Sequence, residues 1–375
     1  MRLIFTILLG LTIAASCEAQ VSTKAKSEND APSSVDGQSK GLSDETEQLS
    51  PSTYQAVVQS GLRSEDAWQS HYDACRVKLQ QNGLKDISSK EQETLDELVK
   101  SMEMQIPHTF TFHYNAYINS ASKANHFADL QAAYDLEPSN PVTYDDMAAF
   151  GELSENKTMK KEFLTKLSDA GVYSKAELEY NYNTLLSVEP GSILLTNGNL
   201  DTYPVWMLQE LQAVNKTVHI LNIDLLKQPS YMAKKSKQFG LPEFKGDYQK
   251  TAEVVDHFLS VDLSTPVYLS LTMPVEILKD HTKNLWLTGL AFKHLNSGEM
   301  ANLPTLAYNW ETTFKKDYLK SNIGLNKNYI MLLAMLNEYY ENQGREAEMQ
   351  EIRSWLAIIA PKTGKPQQVK QISTY

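Results

Sequence analysis

The sequence predicts a small, mostly parallel α/β insert set between two α-helical regions. Three observations lead there. Apolar runs at 192–196, 218–225 and 266–272 are separated by segments of helical spacing, the arrangement of parallel strands covered by crossover helices. A polar loop, Asn197-Gly198-Asn199-Leu200-Asp201, follows the first run, and Pro204 opens the helix-like segment after it. On both sides of this insert, apolar residues recur every three or four positions, as they do on the buried face of a helix.

From the N-terminus, Arg2, an apolar stretch over 3–15 and the small residues Ala14, Ala15 and Ser16 make a secretory signal. The apolar run is too short to span a membrane, which takes about 20 residues. Cys17, directly after the small residues, completes a lipobox and is the expected site of lipidation, with cleavage after Ala19 as the alternative. No later stretch approaches about 18 consecutive apolar residues, so a lipid anchor is the only membrane attachment expected of residues 1–17 onward. Residues 18–52 are rich in Ser, Asp, Glu, Lys and Gln and poor in large apolar side chains. Such a segment buries too little surface to offset its ordering entropy and is expected to be a flexible tether.

Residues 53–190 are helical in pattern. Tyr54, Val57, Val58 and Leu62, then Trp68, Tyr72, Cys75 and Leu79, fall at helical spacing, which makes Cys75 a buried structural thiol. With Cys17 lipidated, the second of the two cysteines has no partner, so no disulfide framework is expected. A helix over 89–104 opens in the capping context of Ser88, Ser89, Glu91 and Glu93 and stops before Pro107. The aromatic run at 110–117 is expected to pack as helix or strand. Residues 127–140 look like the second helix of a tetratricopeptide unit closed by Leu136-Glu137-Pro138-Ser139-Asn140. Pro141 opens a helix with Tyr144, Met147, Ala148 and Leu153 on one face, Phe163, Leu164 and Leu167 mark its partner, and a third pair is expected over 174–188.

The α/β insert occupies 191–275. Residues 276–375 return to the tetratricopeptide-like pattern, with helices expected at 285–295 and 306–319. A further helix over 329–343 turns Leu332, Leu333, Leu336 and Tyr340 inward. Gly344 makes the turn, Ala347, Ile352, Trp355 and Ile359 line the partner helix, Pro361 closes it, and residues 363–375 are expected to be frayed.

Net charge is −11, which excludes nucleic acid as a partner because no basic stripe offsets phosphate repulsion. Asn197, Asn199, Asp201 and Thr202 stand after a strand and before a helix N-terminus, where open α/β sheets bind ligands. The structural alternative is that Asp201 or Thr202 caps that helix. One glycine and no adjacent lysine or arginine argue against a phosphate there. Asp224, after the second strand, would give a carboxylate pair for a metal or for acid–base chemistry if it faced Asp201. None of the eight histidines stands in an H-x-x-x-H or H-E-x-x-H arrangement, and no G-x-S-x-G elbow or phosphate loop is present. No catalytic residue, metal or cofactor is therefore assigned.

The stretch Thr196-Asn197-Gly198-Asn199-Leu200-Asp201-Thr202-Tyr203-Pro204-Val205-Trp206, with Leu208-Gln209-Glu210 and Asn222-Ile223-Asp224-Leu225-Leu226, resembles the soluble C-terminal part of Bacteroidetes membrane proteins of the protein O-mannosyltransferase-like kind. That family has Asp then Asn where this chain has Asn199 and Leu200, so a carboxylate and an amide are missing from the loop. The resemblance, over about 185–361, extends to the strand at 266–272 and to a helix at Leu287-Thr288-Gly289-Leu290-Ala291. It implies a stand-alone accessory version without the multi-pass part, not a transferase. The expected function is a non-catalytic exported lipoprotein, periplasmic or on the outer membrane, that scaffolds protein interactions at the bacterial cell envelope. Its expected partners are cell-envelope proteins, with a glycan as a further candidate. The alternative is a glycan- or nucleotide-sugar-binding protein or enzyme using the 197–202 loop.

Overall fold

In the computed structural model, residues 64–80, 89–120, 126–261, 263–295 and 303–363 are described. The signal, Cys17, the tether, the helical pattern at 54–62 and residues 364–375 lie outside them. The chain divides into two units, one over Ser22–Pro138 and the other containing Ser139–Tyr375.

The first unit holds α1 (Glu65–Gln80), α2 (Ser89–Gln105), α3 (Phe110–Asn119) and α4 (Phe127–Leu136). Trp68 and Tyr72 of α1 meet Leu95, Leu98 and Met102 of α2 in one apolar cluster. Cys75 packs against that cluster but is only half-buried, so the fully buried thiol expected from its spacing is not what forms. The aromatic run settles as helix because Thr109 caps it, accepting from the Phe112 N–H at 3.2 Å.

In the second unit, Asn140 caps the turn at Pro141 by accepting from the Val142 N–H at 3.1 Å. α5 (Tyr144–Leu153) and α6 (Lys157–Asp169) then form a hairpin. Its buried face is the expected one: Met147, Ala148, Phe163, Leu164 and Leu167 are all in the core. The helices approach so closely that a Cβ at Gly151 would lie 2.6 Å from the Lys160 backbone nitrogen. The expected third pair is a single helix, α7 (Lys175–Leu186), opened by a reciprocal cap between Ser174 and Glu177.

The chain then runs through β1 (Ile193–Thr196), α8 (Tyr203–Gln212), β2 (His219–Asn222), α9 (Ile223–Leu226), α10 (Pro229–Phe239), α11 (Thr251–Leu259) and β3 (Val267–Ser270). After α12 (Val275–Asp280) come β4 (Leu285–Leu287), β5 (Ala291–His294), α13 (Leu303–Tyr308), α14 (Tyr329–Asn342) and α15 (Glu346–Ile359). The strand order is β2-β1-β3-β5-β4. β1 is parallel to β2 and β3, whereas β5 runs antiparallel to both β3 and β4. The sheet is thus mixed, and its parallel half is the part anticipated.

Two expected helices are corrected. Residues 285–295 form the β4–β5 hairpin, which carries the sheet past the expected boundary at 275. An apolar run of this length fits a buried strand as well as a helix, and Gly289 decides it. Its φ of 141° lies where side chains are strained, and a Cβ there would sit 2.2 Å from Ser187 Oγ. Gly289→Ala is expected to cost about 2 kcal/mol in a denaturant titration, from strain and overpacking together. The helix expected over 306–319 stops early. α13 ends at Tyr308, a widened turn covers Asn309–Thr313, and the Lys315 backbone is held on both sides by the Asn183 amide, at 2.9 and 2.7 Å. Tertiary hydrogen bonds from α7 here override local helical propensity.

The α14–α15 hairpin has Leu332, Leu333, Leu336, Tyr340, Ile352 and Ile359 fully buried, as their spacing required. Ala347 is exposed instead, and Met349 and Leu356 fill the inner face. This hairpin and the sheet share one apolar core.

Candidate functional site

β1, β2 and β3 all end on the same edge of the sheet, and β1 lies between the other two. The chain leaves β1 for β2 on one side and returns to β3 on the other, so the crevice between β1 and β3 is a topological switch point. The 197–202 loop lies in that crevice.

Asp201 occupies its centre and is 1 % exposed. Its Oδ2 accepts from the Asn197 N–H at 2.9 Å, from the Ser270 hydroxyl at 2.6 Å and from the Thr272 hydroxyl. These bonds tie the end of β1 to the end of β3. Burial raises the Asp201 carboxyl from 3.8 to about 6, against the opposing pull of those three donors. Its other oxygen, Oδ1, is buried and has no hydrogen-bond partner.

Of the remaining polar side chains of the loop, Thr202 is buried, Asn197 half-buried and Asn199 exposed, and all three are hydrogen-bonded. The Asn197 amide donates to the Thr272 carbonyl at 2.6 Å, and the Asn199 amide to Asp145 of α5 at 2.7 Å. Thr202 occupies the cap position of α8 without making a side-chain cap. Its hydroxyl donates to the Gly198 carbonyl at 2.7 Å and accepts from Thr196 and from the Asn222 amide, both at 2.8 Å. Asn181 of α7 donates to the Leu200 carbonyl at 2.8 Å.

The structure therefore brings Asn197, Asn199, Asp201 and Thr202 together and leaves Asp224 out. Asp224 stands on α9, is exposed, and pairs with Lys227 at 3.1 Å. The β2 residue that reaches the loop is Asn222, whose side-chain Oδ1 also caps α9 by accepting from the Asp224 and Leu225 N–H groups. Sequence reasoning missed Asn181, Asn222, Ser270 and Thr272. Hydroxyls within the apolar run at 266–272 were the available signal, because a buried polar group must find a partner.

A second polar centre lies behind the loop's helix. Glu152 of α5 accepts from Lys160 at 2.7 Å and from the Tyr231 hydroxyl at 2.8 Å, and pairs with Lys235 at 3.1 Å. The Lys160 ammonium also sits 3.9 Å from the centre of the Trp206 ring on α8. Burial alone would raise the Glu152 carboxyl; the two lysines outweigh it and hold the group at about 2. Burial pushes Lys160 down.

α7 connects the loop to the rest of the unit. Its Glu179 accepts from the Asp317 and Tyr318 N–H groups at 3.0 and 2.8 Å, and Asn328 donates to the Tyr180 hydroxyl at 2.9 Å. At its C-terminal end, the Ser187 hydroxyl accepts from the Leu290 N–H at 2.9 Å.

Among the described residues no group of three or more His, Cys, Asp or Glu side chains is disposed to hold a metal ion, and no helix is long and apolar enough to cross a membrane. A family model described as TMEM260-associated domain 2 matches residues 177–240, from α7 through the loop to the end of α10. No curated protein and no solved structure matches the chain.

Proposed function

We propose that this chain is a non-catalytic interaction scaffold of the bacterial cell envelope, exported and anchored through Cys17, with cell-envelope proteins as its partners. The observation that carries this reading is the engagement of the loop's polar groups by the fold itself. Asn197, Asn199, Asp201 and Thr202 are each hydrogen-bonded within the fold, at the place where an α/β ligand site would present them outward. The helical hairpins α5–α6 and α14–α15 support it, since tetratricopeptide-like pairs present faces to protein partners. The match to TMEM260-associated domain 2 fits loosely with a relation to O-mannosyltransferase-like membrane proteins, and we place the chain beside the Bacteroidetes examples as an accessory protein.

Thermal-shift titration with nucleotide-sugars and glycans tests the reading. An unchanged melting temperature is expected. Stabilisation growing with ligand concentration, which reaches about 2.7 kcal/mol at a hundredfold excess over Kd, would replace it with the second reading, a glycan- or nucleotide-sugar-binding protein or enzyme acting at the loop. What favours that second reading is the unpartnered Oδ1 of Asp201 at the switch point. For the anchor, metabolic labelling with a palmitate analogue is expected to mark the wild type and not Cys17→Ser. Equal labelling of both would remove the lipoprotein part of the proposal.

A further inference from the structure

α13 and α14 leave a groove of about 320 Å³ between them at the surface of the second unit. Its floor is apolar, with Leu303 and Pro304 from α13 and Met335 and Tyr339 from α14. Leu303, Met335 and Tyr339 are each half-buried, packed on the core from one side and bordering the groove on the other. The Tyr339 ring lies 5.6 Å from that of the fully buried Tyr340, whose hydroxyl donates to Glu311 at 2.7 Å. This wall is therefore fixed before anything docks on it.

The other wall is polar. Glu338 and Asn342 follow Met335 at helical spacing, on the face of α14 that carries Tyr339. The remaining carboxylates of the α14–α15 hairpin are engaged: Glu348 by Arg345, Glu341 by Arg353, Glu351 by Lys316 and Glu346 by Gln350. Glu338 has no hydrogen-bond or ionic partner among the described residues, and neither has the Asn342 side-chain amide. Both arginines of the hairpin are taken, so nothing within it neutralises Glu338.

An apolar floor beside one free carboxylate selects its occupant by charge. A lipid chain or an apolar peptide would desolvate Glu338 without pairing it. An acidic segment or an anionic membrane surface would meet a like charge. A lysine or arginine suits both parts, since its aliphatic stem lies on apolar surface while its cation reaches a carboxylate. We propose that this groove docks an extended segment of a partner protein through one basic side chain, with the stem along Leu303, Pro304, Met335 and Tyr339, the cation on Glu338 and the backbone against the Asn342 amide. The volume stands at the low end of the roughly 300–1,000 Å³ common for ligand pockets, which fits one long side chain and the backbone that carries it. A net charge of −11 draws basic partners toward the chain. This rests on the scaffold reading and deepens it, naming the surface used and the chemistry of what it holds.

Fluorescence anisotropy of the full chain with labelled, acetylated hexapeptides tests it. Separate pools, randomised over Gly, Ala, Val, Leu and Pro except at one central position, carry Lys, Arg, norleucine or Glu there. The Lys and Arg pools are expected to bind about tenfold tighter than the norleucine pool, the equivalent of one charge-assisted hydrogen bond, and the Glu pool weakest of all. Glu338→Lys should reverse the order of the Lys and Glu pools. Glu338→Gln, the milder change, should level the Lys and norleucine pools, and Tyr339→Ala should weaken every pool. Melting temperatures beside the wild type show that each variant is folded. No binding, equal binding of the Lys and norleucine pools, an unchanged order in Glu338→Lys, or a Lys preference surviving in Glu338→Gln would each overturn the groove. The scaffold reading falls separately, on stabilisation of the wild type by nucleotide-sugars or glycans.

Discussion

Replacing Glu152 by alanine is expected to lower the unfolding free energy by about 3–5 kcal/mol, the loss typical of breaking a buried ion pair from one side. The substitution removes the acceptor for Lys160, Lys235 and Tyr231 together, and Lys160 is left buried with its charge uncompensated. The aromatic face of Trp206 remains beside it, with Glu210 as the other acidic group acting on it. Glu152→Gln, which keeps an acceptor for Tyr231, should lose less. Urea titration of the two variants beside the wild type reads the difference, and equal stability of Glu152→Ala and wild type would remove the cluster's structural role.

The same group predicts acid sensitivity. Its folded carboxyl is held at about 2 against an ordinary value of 4.5. A depressed carboxyl stabilises the fold above its unfolded value and loses that contribution as pH falls through the folded one. The lost amount is about 3 kcal/mol, from about 1.4 kcal/mol for each unit of pH. It should be absent from the acid unfolding curve of Glu152→Gln.

Asp201→Ala should lower stability by about 3 kcal/mol at neutral pH, because three donors lose their common acceptor inside the core. The hydroxyls of Ser270 and Thr272 still bond each other at 2.6 Å, which limits the loss. The pH sign is opposite to that of Glu152. A raised carboxyl contributes fully below the unfolded value of 3.8, and the contribution is lost as pH rises through about 6. The amount is again about 3 kcal/mol. Stability of the wild type should therefore peak between the two transitions, near about pH 4 to 5. In Asp201→Ala the decline between pH 4 and 6 should flatten, as guanidinium titrations across that range would read. A wild-type profile without that decline would contradict the buried environment assigned to Asp201.

Much of this unit was legible from residue pattern, and the exceptions have physical reasons. The α5–α6 and α14–α15 hairpins follow from apolar spacing alone, since each buries one face. The switch-point loop was legible because strand, polar loop and proline-opened helix are local signals. The β4–β5 hairpin was not, because Leu285–Leu287 and Ala291–His294 are only 3 and 4 residues long, too short for an alternating pattern to be told from helical spacing. Nor was the fate of the loop. Whether Asp201 points at solvent or at β3 depends on Ser270, 69 residues later, and no spacing rule spans that distance. The Glu152 cluster was equally hidden, with its partners distributed over α5, α6 and α10.

α7 has a consequence for how the chain is made. Its Glu179, Asn181, Asn183 and Thr184, with Ser187 at its end, are buried beside the apolar Ala176, Tyr180 and Leu185, so the helix depends on distant polar partners as well as on its apolar side chains. The partners of Asn183 and Tyr180 stand 132 and 148 residues further along. At ordinary rates of synthesis they leave the ribosome on the order of 10 s after α7 does. Until then the helix and the β1 edge beside it have unanswered polar groups and an exposed strand, which is where a nascent chain is vulnerable to mispairing. Completion of this unit therefore waits on the segment that carries Lys315 and Asn328, and a chain ending before Lys315 is expected to leave α7 unfolded.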